Sequence, residues 1–303
     1  MKHVLAPLAL LAARATIPEP DAGDNVKGCA DGGLYLISVR GTGEQPGVGV
    51  AGSILGTKVK EQVKGTKIVA LDYPATLASP SYPLSVGNGT KYLTELITDH
   101  VKACPNDKIA IMGYSQGAHV TLDTLCGTDE TGFADTAAIA SANVENHIVA
   151  VALFGDPTHV ANVTFNKGTS IKDGLFPRKN TDSCLKYANI ISSWCDTGDV
   201  YCDVGDVTAT HGQYIMKYGT GIVKFIVDKA MGRSSGGSNT TSSASPTGTT
   251  ASTGYVQPSV STTGGPATTT TNTTTSAANG PHMASQGLYV ALPLALAAMF
   301  QML

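Results

Sequence analysis

Gly113-Tyr114-Ser115-Gln116-Gly117 decides the fold. It follows the short apolar run Lys108-Ile109-Ala110-Ile111-Met112 and leads into a helix-compatible stretch over residues 118–125. A G-x-S-x-G sequence between a strand and a helix is a nucleophile elbow. Its serine occupies a strained turn, and glycines flank it because a side chain there would collide with neighbouring backbone. Ser115 Oγ is then expected to stand exposed over the sheet. The Gln116 N–H, at the helix N-terminus, faces the place where an oxyanion would develop. Five residues of this pattern also occur by chance; the strand before them and the helix after them are the context the motif needs.

A nucleophilic serine requires a base, and the base an orienting acid; in elbow enzymes these follow in the chain order Ser, Asp or Glu, His. The histidines beyond Ser115 are His119, His147, His159, His211 and His282. His282 lies in a low-complexity tail. His119 is one helical turn past the serine and is expected to be structural. His147 precedes an apolar run at 148–154, at the wrong end for a site on the carboxyl edge of a sheet. His159, in Gly155-Asp156-Pro157-Thr158-His159, is a rival. His211 comes last, after the acid-bearing loop Cys195-Asp196-Thr197-Gly198-Asp199-Val200-Tyr201-Cys202. That loop follows a strand-like run at 187–194, which places it on the elbow's edge of the sheet, where ligands bind in open α/β folds. Asp199 holds the central position, and closing so small a ring would hold it rigidly against an imidazole. Asp196, Asp203 and Asp206 are expected to be solvated.

The elbow, the Cys195 to Cys202 loop around Asp199, and His211 a dozen residues later resemble the fungal cutinase and acetylxylan esterase family over residues 29–229. The resemblance implies Ser115 as nucleophile, Asp199 as orienting acid and His211 as general base. Val39-Arg40-Gly41-Thr42-Gly43-Glu44 resembles the family's turn after the first strand, which implies Thr42 and Gln116 as the oxyanion hole. Taken alone, 40–49 is a glycine-rich loop; no Gly-Lys-Ser or Gly-Lys-Thr follows it, so it is not a phosphate-binding loop. The six cysteines allow 15 pairings. The resemblance implies Cys29 with Cys104 and Cys195 with Cys202, leaving Cys126 with Cys184. Paired cysteines without a C-x-x-C make a metal site unexpected, and no cofactor is implied.

Strand-like runs at 34–39, 67–71, 108–112, 148–154 and 187–193 alternate with helix-compatible stretches such as 84–103 and 212–231, the pattern of a parallel sheet covered by helices. The family's fold is a three-layer α/β/α hydrolase with a five-stranded parallel sheet, and five runs agree with it.

Outside 28–232 the composition changes. Lys2, an apolar run at 4–12 and Ala13-Arg14-Ala15 predict a signal peptide over 1–15. Residues 233–275 are a Ser/Thr-rich stalk without the apolar side chains a core needs. Residues 276–303 carry small residues at Ser276-Ala277-Ala278-Asn279, a polar spacer and an apolar tail, the order of a GPI-attachment signal. A single-pass anchor is the alternative, against which Pro293, the marginal length and the missing basic flank count. Sequons at Asn88, Asn162, Asn239 and Asn272 agree with secretion. A net charge of −3 without a Lys/Arg cluster excludes the footprint of a nucleic-acid binder.

The expectation is a secreted, cell-surface, monomeric serine esterase that cleaves carboxylic esters through an acyl-enzyme. Two carboxylates, Asp203 and Asp206, stand between acid and histidine where cutinases carry an apolar rim, so acetylated xylan is expected as substrate, with cutin the alternative. A catalytically inactive wall-adhesion protein is the alternative of another class; an intact Ser115, Asp199 and His211 set argues against it.

Overall fold

The computed structural model describes residues 28–30 and 32–233. The expected signal peptide, all but the first residue of the stalk, and the attachment signal lie outside the described residues. Six strands form one sheet: β1 (Leu34–Val39), β2 (Lys67–Ala70), β3 (Lys108–Tyr114), β4 (Ile148–Phe154), β5 (Asn166–Gly168) and β6 (Ile191–Cys195). Their order is β2-β1-β3-β4-β6-β5 and every pair is parallel. The helices are α1 (Gly49–Ala51), which runs through a π-helical turn at Gly52–Gly56 into α2 (Thr57–Gln62), then α3 (Tyr82–Ala103), α4 (Gln116–Cys126), α5 (Ser141–His147), α6 (Asp182–Leu185), α7 (Thr208–His211) and α8 (Tyr214–Ala230).

The central strands read as continuous apolar runs because both faces of the sheet are covered. Alternate residues go to opposite layers. Tyr35, Ile37, Val39, Ile109, Ile111, Val151 and Leu153 pack with Val86, Leu93 and Ile97 of α3 and Leu122 and Leu125 of α4. Leu34, Leu36, Ala110, Met112, Ala150, Ala152 and Phe154 pack with Leu55, Val59 and the α8 residues Tyr214, Ile222 and Ile226. Leu34, Leu36 and Ile37 are wholly inaccessible, and each such burial stabilises by about 1.5–3 kcal/mol.

The sheet has one strand more than expected. β5 carries no apolar signal, since Asn166, Lys167 and Gly168 pair with Ser193, Trp194 and Cys195 at the sheet's edge, where one side is solvated. β6 starts at Ile191 rather than 187 because the preceding residues form turns. α3 starts at Tyr82, two residues before the expected boundary, with Pro83 in its first turn, where its missing N–H costs nothing. Cys29–Cys104, Cys126–Cys184 and Cys195–Cys202 are bonded, leaving no free cysteine, which fits an oxidising compartment. Among the described residues no helix is long and apolar enough to cross a membrane.

Candidate active site

Four strands deliver the site to one edge: β3 ends at the elbow, β1 at the Thr42 loop, β4 at Gly155 and β6 at the Asp199 loop. Ser115 has φ +54° and ψ −119°, a conformation that L residues seldom adopt. The turn leaves room only for glycine two residues to either side. A Cβ on Gly117 would lie 2.0 Å from Val39 O, and one on Gly113 would lie 2.7 Å from Gly117 O. The Ser115 N–H bonds Phe154 O of β4 at 3.0 Å, which ties the turn to the neighbouring strand.

One chain of hydrogen bonds joins the three expected residues. His211 Nε2 is 2.8 Å from Ser115 Oγ, and His211 Nδ1 is 2.9 Å from Asp199 Oδ2. Asp199 is completely buried. Its Oδ1 accepts the N–H groups of Tyr201 (2.7 Å) and Cys202 (3.1 Å), and its Oδ2 also accepts the Tyr214 hydroxyl at 2.7 Å. Burial alone would raise the Asp199 carboxyl, but the bonds from His211, from the Tyr201 N–H and from Tyr214 outweigh it and hold the group below the usual carboxylate range. The acid is therefore an anion at neutral pH. The Cys195–Cys202 bridge closes the loop that carries it.

The imidazole is fixed by more than its acid. The Tyr114 ring stacks on it at 5.2 Å, and the Tyr201 ring meets it edge-on at 4.5 Å. The Tyr114 hydroxyl donates to His211 O at 3.0 Å, so the elbow itself grips the histidine loop. Gly155, at φ +64°, lets the ring approach; a Cβ there would lie 2.6 Å from His211 Cε1.

The exposed Thr42 lies within hydrogen-bond reach of the side chain of Gln116, the first residue of α4. The buried Gln116 amide joins three elements: its Nε2 donates to Thr42 Oγ1 (3.1 Å) and Thr76 O (3.0 Å), and its Oε1 accepts Ser85 Oγ of α3 (2.8 Å). Because Thr42 Oγ1 accepts from the amide, its own proton is free to donate to a ligand.

The other histidines are accounted for elsewhere. His119 is fully buried, 3.3 Å from the Tyr82 hydroxyl, and burial holds its imidazole down to about 3. His159 is buried beside Asp156, Thr158, Arg178 and Ser193 around a small pocket of about 10 Å³, and neither of its nitrogens bonds Ser115. His147 ends α5, away from the carboxyl edge. His119, Asp123 and Glu130 bring ligand-type atoms within 4.8 Å of one another. The Arg178 guanidinium already serves both carboxylates, at 2.9 Å from Asp123 and 2.6 Å from Glu130, so the cluster's cation is an arginine.

Two aspartates expected in solvent are buried. Asp203 is inaccessible; it accepts Ser170 Oγ at 2.5 Å and the Gly198 N–H at 2.8 Å, and so braces the Asp199 loop from within. Asp196 is 5% exposed and accepts Lys217 Nζ and the Tyr218 hydroxyl, both at 2.7 Å. Composition records a charge but not its direction. Asp206 alone of the three faces water, and beside it Val204 and Val207 are 53% and 47% exposed. The rim before His211 is thus more apolar than its sequence suggests.

The profile of the cutinase family matches residues 29–230. Acetylxylan esterase 2 of Talaromyces purpureogenus is 30% identical over 175 residues, spanning 55% of this chain and 74% of that protein. Cutinase 11 of Verticillium dahliae is 28% identical over 175 residues, spanning 55% of this chain and 59% of that protein. The catalytic core domain of acetyl xylan esterase from Trichoderma reesei has the same fold, with a TM-score of 0.61 at 30% identity over 65% of this chain and 98% of that one. The chain belongs to the cutinase family, in the class of serine ester hydrolases.

Proposed function

We propose that Ser115 is the nucleophile, His211 the general base and Asp199 its orienting acid, in an esterase that removes acetyl groups from an acetylated plant polysaccharide. The observation that carries the catalytic roles is the unbroken chain from Tyr214 through Asp199 and His211 to Ser115 Oγ. Ser115 Oγ attacks the ester carbonyl while His211 Nε2 takes its proton. The oxyanion of the tetrahedral intermediate is held by the Gln116 N–H and by the Thr42 N–H and hydroxyl. His211 then gives the proton to the departing alkoxide as the C–O bond breaks. Water, deprotonated in turn by His211, releases the acid and restores Ser115. Asp199 stays ionised throughout, stabilising the imidazolium.

Acetyl specificity is supported by the likeness to the two acetylxylan esterases and by the charge of Asp206 on the rim, which an aliphatic surface would have to desolvate. Asp203 adds nothing to it, being turned into its own loop. Exposed Val204 and Val207 favour a second reading, an esterase for aliphatic polyester. A chain-length series of model esters separates the two. Each methylene buried in an acyl groove gains up to about 0.8 kcal/mol, close to fourfold in rate, whereas a closed acetyl pocket rejects the longer chain. Acetate esters are expected to be the best substrates, with acetate released from acetylated xylan. A steady rise in kcat/KM to hexanoate, with hydrolysis of an insoluble polyester, selects the second reading.

The order of residue types in the leader at 1–15 and the tail at 276–303 supports a location outside the cell on a GPI anchor, with 233–275 as an O-glycosylated stalk. Release from intact cells by a phosphatidylinositol-specific phospholipase tests this. Retention of a chain truncated before Ser276 would reject it.

A further inference from the structure

The motif Arg40-Gly41-Thr42-Gly43-Glu44 contains two charged side chains that take no part in the chemistry above. Both turn back on the loop that presents Thr42. Arg40 is 3% exposed, and its guanidinium donates to the carbonyl groups of Glu44 (3.1 Å), Leu71 (3.2 Å) and Tyr73 (2.6 Å). The Glu44 carboxylate does the converse. Its Oε2 accepts the Gly41 N–H at 2.6 Å and its Oε1 accepts the Val50 N–H at 2.8 Å. The cation thus gathers carbonyl groups and the anion gathers amides, one on each side of Thr42. Tyr73 donates to Arg40 O at 2.6 Å, and the Gly43 N–H bonds Ala75 O at 2.8 Å, so the backbone is tied down on both sides of Thr42. Gly49, at φ +64°, leaves room for the carboxylate: a Cβ there would lie 3.0 Å from Glu44 Oε2.

We propose that Glu44 is a positioning residue for the oxyanion hole: its carboxylate, bridging the Gly41 and Val50 amides, fixes the backbone that aims the Thr42 N–H and hydroxyl beside Ser115. Glu44 touches neither Ser115 nor His211 in the structure and acts only through Thr42. The proposal rests on the oxyanion role given to Thr42 above. Charge-assisted bonds to two amides are about twice as strong as neutral ones, and a displacement of about 1 Å at a site of this kind costs about a hundredfold in rate. Glu44→Gln keeps the length and one acceptor but sets an NH2 against the second amide.

The test is a double-mutant cycle on the full chain, with active sites counted by phosphonate titration and folding followed by Tm. Glu44→Gln is expected to lower kcat roughly ten- to a hundredfold with KM within about twofold, because the oxyanion exists only in the transition state. Thr42→Ala is expected to cost about 10² to 10³. In the Thr42→Ala background the further loss from Glu44→Gln should shrink to within about threefold, since a residue acting through Thr42 has nothing left to position. Glu44→Asp, too short to reach both amides, should behave like Glu44→Gln and serves if that variant folds poorly. Losses that multiply independently, or a full kcat in Glu44→Gln, overturn the brace while leaving the oxyanion hole intact. A harmless Thr42→Ala would instead overturn the oxyanion assignment, and the brace with it.

Discussion

At the carboxyl edge of the sheet His211 bonds Asp199 at 2.9 Å, and at the amino edge, where α3 ends and β3 begins, His100 bonds Asp107 at the same 2.9 Å. Both pairs are buried, and both aspartates also accept backbone N–H groups, Asp199 from Tyr201 and Cys202 and Asp107 from Ala30. The difference lies in which ring nitrogen the acid takes. Asp199 takes Nδ1, so that Nε2 projects onto Ser115; Asp107 takes Nε2, and the His100 ring lies flat on Tyr35 at 3.5 Å. A His–Asp pair is therefore not a catalytic device in itself. It becomes one when the acid fixes the tautomer that leaves Nε2 facing a nucleophile.

Breaking each pair in turn should have opposite consequences. Ser115→Ala or His211→Ala is expected to lower kcat by roughly 10⁶, because members of the triad act as a unit. The fold should hold, which Tm will show. His100→Ala should leave kcat within about threefold yet reduce stability by about 1–3 kcal/mol, the usual cost of removing one partner of a buried hydrogen bond. Loss of activity in His100→Ala with unchanged stability would erase the distinction between the edges. A smaller change sharpens it. Tyr214→Phe removes the hydroxyl on Asp199 Oδ2 and should cost roughly ten- to a hundredfold in kcat with KM little changed, as expected for a bond to a charged group worth about 1.5–3 kcal/mol.

Acid should act on the fold through His100. At the amino edge burial lowers the His100 imidazole below its ordinary value, against the pull of Asp107. The unfolded chain then takes the proton before the fold does. The contribution is complete above the unfolded value of about 6.5 and is lost as pH falls through it toward the lower folded value. Tm measured between about pH 7 and pH 5 should fall less steeply in His100→Asn than in the parent; equal slopes would show that His100 does not carry this dependence.

Most of the scaffold was legible because the central strands are buried on both faces and read as unbroken apolar runs. β5 was not, since an edge strand of Asn166, Lys167 and Gly168 is made by its pairing with β6 and carries no pattern of its own. Ser115, Asp199 and His211, which the fold brings into one hydrogen-bonded chain, were legible from a short motif and from chain order. Their supports were not: no motif marks Tyr114, Tyr201 or Tyr214, and only the fold aims the Tyr114 hydroxyl at His211 O and the Tyr214 hydroxyl at Asp199. Asp203 was misread for the complementary reason. A carboxylate in a loop sequence suggests solvent, and only the turn at Gly198 and Ser170 shows that it faces inward.

The proposed chemistry requires that the carboxyl-edge serine, and no other, is the nucleophile. Labelling the protein with a fluorophosphonate and mapping the adduct by mass spectrometry tests this most directly. One adduct per chain, on Ser115, formed in step with the loss of esterase activity and much more slowly in His211→Ala, is the expected result. An adduct on another residue, or full activity with Ser115 modified, would rule out Ser115 as the nucleophile.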